Sequence, residues 1–173
     1  MKTKVFGIMA VATVLALLAG CGQNQILATL EASVSATEVL IGALEAGGKI
    51  PPSVATEIED AIAQLPDAYQ ETTLELASTD SDAVKAVTIA GYYAATLAAL
   101  QVVPEEAKAY AAAIAGSIEA FLSTLAQAQT PAAHTTAQAR GARKFDSQRL
   151  QAIANRAITL RARLAALKSA QAR

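Results

Sequence analysis

A chain of 173 residues allows one domain of ordinary size, or one domain with a tail. Alanine fills 43 positions, and because it is the best helix former and a poor strand former, an all-β fold is excluded. The single Cys and single His exclude an intramolecular disulfide, a Cys-based zinc cluster and the usual multi-histidine centres, while a net charge of −1 conceals two oppositely charged parts.

The first twenty residues read as a secretory signal. Lys2 and Lys4 form a basic start, Val5 to Leu18 are almost wholly apolar, and small residues follow. The apolar run of 14 residues is short for a membrane-crossing helix, which needs about 20. Leu18-Ala19-Gly20-Cys21 resembles the lipobox of bacterial lipoproteins. The resemblance covers residues 1–21 only. It implies cleavage before Cys21, acylation of that Cys, and a membrane partner through its lipid. It further implies a palmitate-type anchor facing the periplasm or cell exterior. Gly22, where an Asp would favour inner-membrane retention, points to the outer membrane of a Gram-negative cell. The competing reading is an uncleaved N-terminal anchor with Cys21 incidental. Residues 1–20 are set aside from the fold in either case.

Five helical segments follow. The first spans about Asn24 to Ala46, stopped by Gly47-Gly48 and followed by Pro51-Pro52. The second spans about Pro52 to Ala77. Pro66 inside it lacks an N–H and crowds the carbonyl of Ile62, so a bend or break is expected there. The third starts at Thr79-Asp80-Ser81-Asp82, a run of N-cap residues, and reaches about Val102. It carries no charge from Ala86 to Val103, and an all-round apolar helix is expected at the centre of a bundle. The fourth opens with Pro104-Glu105-Glu106 and runs to about Gln127. Residues 129–145 read as a linker. The fifth helix starts near Asp146-Ser147 and runs towards Lys168. The expected fold is therefore all-α: an antiparallel bundle of about four helices (21–128), a linker (129–145) and a basic amphipathic C-terminal helix (146–173).

Charge divides along the chain. From Cys21 to Ala133 the net charge is −11, and from His134 to Arg173 it is +8. In the tail Leu150, Ile153, Ala157, Leu160, Leu164 and Leu167 form a heptad seam. Arg149, Arg156 and Arg163 flank it on one side, Arg161 and Lys168 on the other. The first helix has a matching seam from Leu27 to Leu44, flanked by Glu31, Glu38 and Glu45. Asp67, Glu71 and Glu75 add an acidic stripe on the second helix. Three readings of the tail compete: docking on the acidic bundle within one chain or between chains, a solvated amphipathic helix, and a site for an anionic partner. These give a protein partner or self-association through the tail. Nucleic acid is disfavoured, because no aromatic platform accompanies the basic residues and the signal exports the chain.

No chemistry of catalysis is assembled. His134 stands in the linker without a second imidazole. Di-iron bundles need a Glu-x-x-His from each of two helices, which one His cannot supply. Glu57 and Asp60 could exchange protons, yet sit where a polar helix face is expected. Gly47-Gly48-Lys49 does not match a phosphate loop. The expectation is no enzyme, no metal and no cofactor, and an envelope interaction or scaffolding module. The alternatives are a membrane hairpin of Ala86–Val103 and Ala107–Leu125, as in a holin-like or pore-forming protein, and a carrier with an apolar cavity.

Overall fold

The computed structural model describes residues 22–47, 50–128 and 144–171. The signal segment with Cys21, and residues 129–143 of the expected linker with His134, lie outside the described residues. The described chain is an all-α bundle. Its helices are α1 (Gly22–Glu45), α2 (Pro52–Ile62), α3 (Leu65–Ala77), α4 (Asp82–Gln101), α5 (Lys108–Gln127) and α6 (Ser147–Gln171).

Local chemistry explains the boundaries. Gly47 follows α1 with φ +60°, and its N–H bonds the carbonyl of Leu44 at 3.3 Å. That left-handed turn is cheap only for glycine. The arm that carries Pro66 breaks into α2 and α3 at Ala63–Gln64. Pro66 takes the second position of α3, where an N–H would have no intrahelical acceptor. Ile62, Leu65 and Pro66 are all buried, so the break lies against the core. Ser81 caps α4 by accepting the N–H of Val84 at 3.4 Å. Glu105–Ala107 form a 3-10 turn that leads into α5.

The helices close a ring. α1 packs on α5 and α6, α5 also on α4, α4 on α3, and α3 on α6, with α2 extending the α3 column against α4 and α6. The ring axis is filled by Tyr69, Tyr93 and Phe121, with centroids 6.0 Å apart at each step. Tyr69 reaches α1, where its phenol lies 2.8 Å from both Ser33 Oγ and Thr37 Oγ1 and donates to the Ser33 carbonyl at 3.1 Å. Tyr93 Oη meets Thr72 Oγ1 at 2.8 Å. Neighbouring columns alternate in direction except at one contact, α1 with α6, which run parallel. With five columns, alternation cannot close the ring, so one parallel pair is unavoidable.

The uncharged helix is not central. α4 buries only Lys85, Ile89, Tyr93, Thr96 and Leu100, and Val84, Val87 and, just past its end, Val102 stand exposed. α1 is the helix most enclosed, with Ile26, Leu27, Leu30, Val34, Leu40 and Ile41 all at 1% exposure or less. The physical reason is alanine, which is apolar by type but offers little area, so leaving it in water costs little.

Candidate interaction site: the basic helix and its acidic partners

α6 begins at Asp146, whose Oδ1 accepts the N–H groups of Gln148 at 2.9 Å and Arg149 at 3.3 Å. That cap fixes the rotation of the first turn, and so the side on which every later arginine projects. Leu150, Ile153, Ala157, Leu160 and Leu164 are buried, and Leu167 packs at the edge of the core. The tail is thus a column of the bundle.

Its charged flanks meet carboxylates on two different helices. On the α1 side, Arg149 Nε donates to Glu31 Oε1 at 3.0 Å and Nη2 to Oε2 at 2.8 Å. Arg156 grips Glu38 the same way, at 2.8 and 2.6 Å, and also reaches Ser35 Oγ at 2.8 Å. Arg163 Nε donates to Glu45 Oε1 at 2.8 Å, with a second bond from Nη2. Each pair is separated by the same 118 residues, which is what parallel helices in heptad register require. On the α2–α3 side, Arg161 pairs with Asp67 and Gln70, and Lys168 Nζ lies 2.9 Å from Asp60 Oδ1. There one partner rises by seven as the other falls by seven, as antiparallel columns require.

Fork-on-carboxylate geometry makes the three α1 pairs the stronger kind of ion pair. The Arg156 hydrogen bond holds the Glu38 carboxyl below its ordinary range against the opposing cost of burial, and Arg163 does the same for Glu45. The arginines are correspondingly raised. Side chains on the α1 flank remain about a third exposed, so water still screens them.

All five basic residues singled out in the tail sequence, Arg149, Arg156, Arg161, Arg163 and Lys168, are engaged inside the molecule, as are Glu31, Glu38 and Glu45. Asp60 and Asp67 were not singled out as their partners. Their signal was a spacing of seven, equal to that of Arg161 and Lys168. Glu71 and Glu75 of the acidic stripe instead flank Tyr92, whose phenol is raised first by burial and then by these two charges. Lys85 is buried and donates to the carbonyls of Leu76 at 3.3 Å and Ser78 at 2.7 Å, closing the end of α3. Among the described residues no group of three His, Cys, Asp or Glu is arranged to hold a metal. Comparison with protein-family models, curated proteins and solved structures returns no match.

Proposed function

We propose that the chain is a non-enzymatic lipoprotein, acylated at Cys21, that serves as an interaction or scaffolding module of a bacterial envelope on its periplasmic or outer side. The observation that carries this reading is Leu18-Ala19-Gly20-Cys21 at the end of a basic and then apolar segment. Gly22, the residue after Cys21, already belongs to α1, so the bundle would sit against the bilayer without a spacer. One acyl chain gives marginal binding and each buried CH₂ adds about 0.8 kcal/mol, so the two or three chains of this class would hold it permanently. A protein partner, or a second copy, would have to use a surface other than the charged flanks of α6, which are engaged within the chain. Metabolic labelling with a fatty acid tests the anchor. Label is expected in the wild type and absent in Cys21→Ser, and an unlabelled wild type overturns the reading.

A second reading draws on α4 and the stretch from Glu105 to Gln127, which are long and apolar enough to cross a membrane by length and composition. As a membrane hairpin they would carry Lys108 and Glu119 into the bilayer, at about 2.5–3.5 kcal/mol each on insertion scales. A chain starting at Gly22 that stays in solution without detergent would count against the hairpin.

A further inference from the structure

The bundle leaves most of its two most uniformly apolar neighbours unburied. α4 and the Glu105–Gln127 stretch each bury only 28% of their apolar length, although both match a membrane-crossing helix in composition. They are adjacent in the ring, so their outer sides form one continuous face. Val87 on it is 76% exposed, and Val102, just past the end of α4 and beside Glu57 and Asp60, is 81% exposed. Gly91 and Gly116 have open space where a side chain would be. Charge is sparse: α4 has none after Lys85, Glu105, Glu106 and Lys108 cluster at the start of the next stretch with Lys108 paired to Glu105, and Glu119 follows within α5. Glu57 borders one end of the face, Glu71 and Glu75 lie beside Tyr92 along its α3 edge, and the five ion pairs of α6 lie on another side of the ring. A continuous apolar face of this kind marks an interaction surface.

We infer that this α4–α5 face rests on the lipid surface to which the chain is tethered. The inference rests on the reading of Cys21 as the anchor. Two observations select lipid. First, the tether leaves the molecule at the edge of this face: Gly22 packs beside Ala128, just past the end of α5, close enough that a methyl group on Gly22 would lie 3.9 Å from the Ala128 Cβ. Cys21 is one residue further. Second, Ala86 to Val103 carries no charge, so this side loses the least charge hydration on meeting a headgroup layer. Alanine, glycine and valine give a shallow seat at the headgroup boundary, held in place by the tether's high local concentration.

The test uses the full chain, purified from membranes and reconstituted in vesicles of phosphatidylethanolamine and phosphatidylglycerol. Acylation consumes Cys21, so a cysteine introduced at Ala94 or Ala113 on the face, or at Ala165 on the outer side of α6, is the one free thiol for a nitroxide label. All three positions are exposed, so folding does not depend on them. Collision with a water-soluble nickel chelate is expected to be several-fold lower at residues 94 and 113 than at 165, with oxygen collision higher. Ala113→Glu in the Ala94-labelled chain should bring the label back towards the value at 165. Equal nickel access at all three positions overturns the proposal. Shielding from both reagents, with spin–spin broadening that grows with the protein-to-lipid ratio, also overturns it, in favour of a second copy on this face. Intact mass, read before labelling, separates the two levels: acylated protein with wet labels keeps the anchor and removes the lipid-facing side, whereas unmodified protein, which would carry a second thiol at Cys21, removes the anchor on which the inference rests.

Discussion

Tyr69 is the residue that joins the two halves of the interior. It sits on α3 with no exposure, and its phenol fills a gap between two hydroxyls of α1. Burial pushes its pKa up to about 12, against the lowering effect of Ser33 and Thr37. A raised folded pKa means that neutral Tyr69 contributes its full stability below the unfolded value near 10. That contribution is lost as pH rises towards about 12. Denaturant midpoints followed through that window should therefore fall more steeply in the wild type than in Tyr69→Phe. At neutral pH, Tyr69→Phe should cost about 1–3 kcal/mol, because Ser33 Oγ loses its buried partner. The loss should be less than additive with Ser33→Ala, since both changes remove one contact. None of this network was legible in the chain. Tyr69 stands on an apolar stripe in the sequence, and its partners are 36 and 32 residues away, beyond any local pattern.

At the scale of the element, α6 shows leucines and charges doing different work. Leu160→Ala should cost about 2–5 kcal/mol by leaving a cavity in the seam. Breaking the Arg156–Glu38 pair, about a third exposed, should cost on the order of 0–1 kcal/mol, which a double-mutant cycle in urea would measure. If the cycle instead gave a coupling as large as the leucine loss, the division of labour would be wrong. Acid weakens the same contacts. The folded pKa values of Glu38 and Glu45 are lowered, so their contribution is present above the ordinary carboxylate value of 4.5 and is lost as pH falls through the folded values. Thermal midpoints should drop below about pH 4.5 in the wild type and drop less in Glu38→Gln with Glu45→Gln. The heptad seam and its flanks were legible because coiled-coil spacing is a local rule. The choice between docking, solvation and an anionic partner was not, because periodicity names a face without naming what covers it.

At the scale of the molecule, the helical class, the break near Pro66 and the caps at Gly47, Ser81 and Asp146 could all be read from residue types. The position of α4 could not. Counting apolar residues put it at the centre, whereas apolar area decides burial, and alanine has little of it. The enclosed place went to α1, whose isoleucines and leucines remove more surface from water. The inward corner of α4 is supplied by Ile89, Tyr93 and Leu100, and its other sides are left to solvent or lipid.

The two flanks of α6 act as opposed rulers for its register. Sliding the helix by one heptad would still set Arg149 on Glu38 and Arg156 on Glu45, so the parallel flank alone tolerates a slip. The antiparallel flank could then keep only Arg161, now against Asp60, while Lys168 would be carried to Ser53. The slipped helix would retain three of five bridges, a trap shallow enough to escape. Packing disfavours it further: Ala157 is fully enclosed, and a slip in either direction delivers Leu150 or Leu164 to that slot, three carbons too large. One small residue in a row of leucines thus works as a vernier mark, letting a repetitive helix find a single setting as it folds.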